Sequence, residues 1–324
     1  MFSRDVIRID ARSVAERIEL AIREQVLGTL KRRGAVVGMS GGIDSSVVAM
    51  LCVRALGKAR VVGLLMPERD SSDDALRLGR MHAEHLGIRH VVENIAPALA
   101  GFGCYDRQLE AIRMVVPEYG DGWRCKLTIP SLLEGDRLNI TSLTVADPKG
   151  NQRTVRMPLA AYLQMVAATN FKQRTRKTME YYHADRLHYA VAGTPNLLEY
   201  DQAFFVKQGD GAADFKPIAH LYKTQVYALA EYLGVPEEIR ARPPTTDTFS
   251  LAQSQEEFYF ALPYQEMDLC LWAYKHRTPS AEAANVIGLA PDQMERVYRD
   301  IEAKHRAGRY LHQAPLLVGE AQGA

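Results

Sequence analysis

The segment Ser40-Gly41-Gly42-Ile43-Asp44-Ser45-Ser46 holds the densest candidate chemistry in the chain. Adjacent glycines let backbone N–H groups turn toward an anion, and a helix starting there adds its positive end. Ser40, Ser45 and Ser46 add hydroxyl donors. The string lacks a Gly-Lys-Ser/Thr ending, so it is not a Walker loop and brings no lysine to a γ-phosphate. Asp44 suits a hard cation that bridges phosphates better than it suits a phosphate. Taken alone, a glycine turn with Asp44 as a helix cap explains the same residues. The full string after a strand favours an anion loop.

The flanking sequence supplies the elements that must position this loop. Residues 14–33 read as a helix, with Ser13 and Glu16 as a capping box. The apolar run 35–39 reads as a strand buried on both faces, and an apolar helix follows over 47–56. Strand 60–66, helix 72–86 with Ser72 as its cap, and strand 89–94 repeat the rhythm. Alternation this short means an α/β, doubly wound parallel sheet with helices on both faces, and its ligands sit at the carboxyl ends of the strands. The loop 40–46 lies at such an end.

The rhythm breaks at about 117–158, where alternating segments and turns at Gly135-Asp136 and 147–150 read as a β-rich insertion. A long basic helix over 159–185, a strand over 188–192, a loop to Leu221 and a helix over 224–233 follow. Residues 256–318 read as a helical C-terminal part of one catalytic domain.

Composition limits the partners. Forty basic residues against 39 acidic ones argue against a coat for nucleic acid or anionic membrane. No apolar run is long enough to span a bilayer, and the N-terminus has no apolar signal core, so a cytoplasmic protein is expected. The four cysteines form no C-x-x-C pair, and Cys52 and Cys270 read as core. Cys104 and Cys125 have no histidine that can be assigned as a partner for nucleophilic catalysis. His183 and His188 lack the i, i+4 spacing of two zinc ligands on one helix.

The loop 40–46 resembles the pyrophosphate loop of N-type ATP pyrophosphatases, an adenine nucleotide alpha-hydrolase-like superfamily with a Rossmann-like sheet. The second half narrows this. Gly193-Thr194 with Glu199, then Phe204-Phe205-Val206-Lys207-Gln208-Gly209-Asp210 with Asp214, then Lys223, then Thr245 and Asp247, look like the NAD synthetase pattern. Asn170-Phe171-Lys172-Gln173-Arg174-Thr175-Arg176-Lys177 on the long helix resembles the family's N-x-K-x-R-x-R segment.

The resemblance implies an ATP-dependent amide ligase. A carboxylate, deamido-NAD first of all, is adenylated with loss of pyrophosphate, and ammonia then displaces AMP. It implies Asp44 and Glu199 as magnesium ligands and Asp44, Lys207, Asp210 and Lys223 as catalytic residues. ATP or pyrophosphate would contact Ser40, Gly41, Gly42, Asp44, Ser45, Ser46, Met66, Thr194, Lys223 and Thr245. The acid substrate would contact Lys172, Arg174, Lys207, Asp210 and Asp214. It also implies a homodimer. The length leaves no room for a glutaminase domain beside the synthetase core, so ammonia is expected free or from a separate glutaminase subunit. The insertion, and Phe260-Ala261 where the family has Leu-Gly, keep two alternatives open. One is an amide synthetase for another acid, and the other is a non-catalytic ATP-binding protein.

Overall fold

The computed structural model describes residues 2–129, 141–245, 248–260 and 262–319. The turn read at Gly135-Asp136, Ala261 and Asp247 lie outside the described residues.

Four short strands form a parallel sheet: β1 (Ala35–Gly38), β2 (Val61–Leu65), β3 (Arg89–Val92) and β7 (Ala190–Ala192). Their order is β3-β2-β1-β7, with Ala35 opposite Val61 on one side and Ala190 on the other. The chain winds outward from β1 through β2 to β3, then returns to the other side of β1. The loop after β1 therefore opens at the point where the winding reverses, the usual ligand crevice of such sheets.

Period-two alternation divides the sheet's side chains between two faces. Ala35 and Val37 pack into the larger core with α1 (Ala11–Arg23), α2 (Ile43–Leu56), α3 (Asp73–Leu86) and α8 (Lys223–Leu233). Val36, Val62, Leu64 and Val191 pack on the other face with Ala184 of α6 (Leu159–Leu187). The helices α4 (Ala96–Gly101) and α5 (Cys104–Arg113) stack on α6.

The β-rich stretch is an antiparallel sheet of β4 (Arg124–Thr128), β5 (Ser142–Ala146) and β6 (Gln152–Arg156) in that order. Cys125, Leu127, Leu143 and Val145 alternate onto one face and form a core with Ile112, Met165 and Phe249. Beyond α7 (Leu197–Asp201) and α9 (Glu237–Arg240), the C-terminal part is α10 (Tyr264–Lys275), α11 (Ser280–Ile287) and α12 (Pro291–His312). These three close their own core around Met267, Cys270, Met294 and Val297.

Some boundaries differ from the sequence expectation. Helix α1 is capped by Asp10, whose side chain accepts from the Arg12 N–H, rather than by Ser13. Starting one turn earlier adds a turn at the surface while Val14, Ala15 and Ile18 stay buried. Helix α2 starts at Ile43, so Asp44 lies in its first turn instead of in a loop before it. Helix α7 occupies part of the stretch expected to be loop. All four cysteines are buried. Among the described residues no helix is long and apolar enough to cross a membrane.

Candidate active site

The loop after β1 is folded onto its own hydroxyls. Gly42 is the N-cap of α2 and carries no side chain, so its carbonyl accepts from Ser45 Oγ at 3.0 Å and Ser46 Oγ at 2.9 Å. Ser40 Oγ accepts from the Gly42 N–H at 3.2 Å. Gly41 has φ +75°, and a Cβ there would lie 2.5 Å from the Ala75 carbonyl oxygen on α3. Both facts require glycine.

Ser40, Gly42, Asp44 and Ser45 line a cavity of about 1090 Å³ at the carboxyl edge of the sheet. Ser46 is buried behind it and serves the turn.

Asp44 meets two other elements. Its Oδ2 accepts from Lys223 Nζ at the start of α8, and its Oδ1 accepts from Asn196 Nδ2 at 3.1 Å. Asn196 caps α7 in a capping box with Glu199: each side chain accepts from the other's backbone N–H at 3.2 Å. Glu199 Oε1 accepts from Gln255 Nε2 at 3.0 Å. Burial, and then the charge of Asp44, raise the Glu199 carboxyl above the usual carboxylate range. Burial works against the Lys223 charge, but Asp44 and Glu199 outweigh it and hold the ammonium charged.

Lys223 is fixed from below. Asp268 of α10, fully buried, accepts from the Lys223 N–H at 3.1 Å and from the Thr224 N–H and Oγ1 at 2.7 and 2.8 Å.

Met66, Thr194, Arg174, Lys207, Asp210 and Thr245 also line the cavity. The Asp210 carboxylate accepts from the Val206 N–H at 2.8 Å, and burial raises its pKa. Lys207 Nζ donates to the Tyr310 and Gln313 carbonyls at 2.8 and 3.1 Å, so its charge is spent on the end of α12 rather than at Asp44. Lys177, the last residue of the basic string, and Glu180, which no sequence motif names, form a 2.6 Å ion pair in the cavity wall.

Two expected acid contacts are placed otherwise. Lys172 is behind the wall, where its Nζ donates to Glu68, Asp70 and the Thr248 carbonyl, which uses all of its protons. Asp214 Oδ2 accepts from the Val191 N–H at 2.7 Å and Oδ1 from the Tyr181 hydroxyl, so it pins β7 and does not line the cavity. His183 pairs with Glu93, in keeping with a structural role.

Asn196, Gln255 and Asp268 join the site without having been expected from sequence. The Asn196…Glu199 spacing carries a capping-box signal that is readable in sequence. Gln255 and Asp268 carry none, because only the fold brings them to the site.

The NAD synthase family profile matches residues 14–113 and 137–307. Strand β4 falls in the unmatched stretch, whereas β5 and β6 lie inside the match. An NH3-dependent NAD+ synthetase of Mesorhizobium japonicum is 67% identical over 97% of this chain and 99% of its own length. One of Thermotoga maritima is 36% identical over 86% of this chain and 90% of its own.

Among solved structures, an NMN synthetase from Francisella tularensis aligns with TM-score 0.65 at 22% identity, covering 96% of this chain and 99% of that one. An NH3-dependent NAD synthetase from Campylobacter jejuni aligns with TM-score 0.63 at 21% identity, covering 96% and 100%. These two likenesses establish the fold, and the sequence matches establish more: the chain belongs to the NAD synthase family.

Proposed function

We propose that this chain is an ammonia-dependent NAD synthetase, a carbon–nitrogen ligase that uses ATP to turn deamido-NAD into NAD. The observation that carries the assignment of the chemistry is the convergence of Asp44, Glu199 and Lys223 beside a loop of donors at one sheet edge.

The donor set fits magnesium. Asp44 and Glu199 are hard oxygen donors, close enough that the Asp44 charge helps raise the Glu199 carboxyl, and Lys223 offsets the charge. Among the described residues no three His, Cys, Asp or Glu side chains cluster, so the protein would supply two ligands and phosphates and water the rest, as magnesium sites commonly do. Bound there, the ion would neutralise polyphosphate charge.

In the first step a carboxylate oxygen of deamido-NAD bonds to the α-phosphorus as the α–β bridging bond breaks. Negative charge accumulates on the departing pyrophosphate. The α2 N-terminus and the Ser40 hydroxyl can meet that charge, Ser45 keeps its proton on the Gly42 carbonyl, and Lys223, held by Asp44, supplies the nearby cation. Thr194 and Thr245 offer further hydroxyls from facing walls. In the second step ammonia nitrogen bonds to the acyl carbon, the C–O bond to AMP breaks, and the nitrogen loses a proton. Arg174 and Asp210 stand where they can orient the acid half. Lys207 contributes its half-buried stem and Tyr310 contact rather than charge on phosphate.

A single catalytic unit, a homodimer and a cytoplasmic setting complete the proposal. Exposed Leu159 and Leu163 on α6 support the dimer, and four buried free cysteines fit a reducing compartment. The deciding assay supplies ATP, magnesium, ammonia and deamido-NAD and follows NAD, AMP and pyrophosphate. Equal amounts of all three are expected. Turnover only with another acid would keep the chemistry and remove the NAD assignment.

A further inference from the structure

We propose that Lys172 is a positioning residue for this reaction, tying together from behind the two loops that wall the cavity. Its ammonium donates to Glu68 Oε1 at 3.0 Å and Asp70 Oδ2 at 2.7 Å, both on the loop after β2. It also donates to the Thr248 carbonyl at 2.8 Å, on the segment after Thr245. Lys172 is 1% exposed, and the Glu68 and Asp70 side chains are 0% and 7% exposed. Neighbours of these residues face the cavity: Met66, Pro67 and Ser71 from one loop, Thr245, Thr248 and Phe249 from the other. One side chain on the rigid helix α6 therefore sets the gap between both walls.

The surrounding contacts hold the knot in a single arrangement. Tyr105 Oη donates to Glu68 Oε2 at 3.0 Å, and the Arg69 guanidinium lies 3.9 Å over the Tyr105 ring while donating to Asp70. Burial works to raise the Asp70 carboxyl, but Lys172 and Arg69 outweigh it and hold it below the usual range. A buried ion cluster gains little net stability over apolar groups of the same volume. What it supplies is geometry, because each partner must be met where it stands.

This inference rests on the reading that ATP occupies the cavity. Two variants test it: Lys172→Met, and Lys172→Met with Glu68→Gln and Asp70→Asn. Calorimetry gives the ATP Kd, turnover gives KM and kcat, and thermal melting gives stability. In the triple variant only Arg69 loses its carboxylate, and its side chain is 53% exposed to water, so the melting temperature should return toward that of the unaltered protein. Both variants should still bind ATP at least about tenfold more weakly, with kcat changed by less than about threefold, since misplaced walls cost binding geometry. A triple variant that regains ATP affinity along with stability would show that Lys172 only offsets charge, and would overturn the proposal. So would Lys172→Met with unchanged affinity. If the single variant does not fold, the triple variant decides alone. ATP binding is read apart from turnover, so binding without NAD formation would refute the reaction and leave this test intact.

Discussion

Asp44 and Glu199 are bridged by one side chain: Asn196 donates from Nδ2 to Asp44 Oδ1 and accepts at Oδ1 from the Glu199 N–H. The residue that caps α7 thus also sets the spacing of the two carboxylates. Asn196→Ala removes both contacts. The lost cap should cost about 1 kcal/mol of stability. Loss of the bridge should cost about 10- to 100-fold in activity, felt mainly as weaker magnesium affinity. Magnesium titration of turnover checks this, and an unchanged half-saturation point would refute the bridge.

Lys223 is a cation whose charge both Asp44 and Glu199 stabilise. Lys223→Met keeps its length and removes its charge, leaving Asp44 and Glu199 to repel each other. We expect kcat to fall on the order of 10²–10³-fold, the usual cost of losing one charge-stabilising group. Asp44→Ala should abolish pyrophosphate release while far-ultraviolet circular dichroism stays native. Pyrophosphate release at a normal rate by the folded Asp44 variant would remove the assignment.

The two lysines show how far sequence can reach. Lys172 and Lys223 both sit in family-like strings, and in sequence both read as cations facing substrate. Lys223 faces the cavity because it opens α8 at the carboxyl edge of the sheet, a position that the strand–helix rhythm makes legible. Lys172 turns away because Glu68, Asp70 and Thr248 surround it, and those contacts depend on how two distant loops fold. Asp214 is similar: its sequence neighbours suggest a ligand, whereas the open N–H at Val191 claims it. The sheet and the loop 40–46 are legible because buried runs and glycines act locally. Partner choice at a buried charge does not act locally.

Gly41 gives a test of that local logic. Gly41→Ala must hold φ +75° with a side chain and must push its Cβ away from the Ala75 carbonyl, which would lie 2.5 Å off. Backbone strain of this kind costs about 1–3 kcal/mol. Because the loop would shift rather than α3, ATP affinity should drop more than stability. Calorimetric titration beside a melting curve checks it, and a variant with full ATP affinity would show that the loop tolerates the side chain.

Asp268 makes a pH prediction with a defined sign. Burial raises its carboxyl from 3.8 to about 6, even though the Lys223 and Thr224 donors favour the charged form. The folded chain therefore holds this proton more tightly than the unfolded chain does. Its stabilising share is complete below the unfolded value of 3.8 and is lost as pH rises through about 6. Asp268→Asn cannot titrate and so lacks this dependence. The stability gap between unaltered protein and variant should narrow as pH rises from about 4 to 6 and stay level above. Urea unfolding at a series of pH values measures that gap. A gap that widens over this window would mean that the three donors stabilise the carboxylate more than burial penalises it, and the Asp268 proton would then be held more weakly in the folded chain than in the unfolded one.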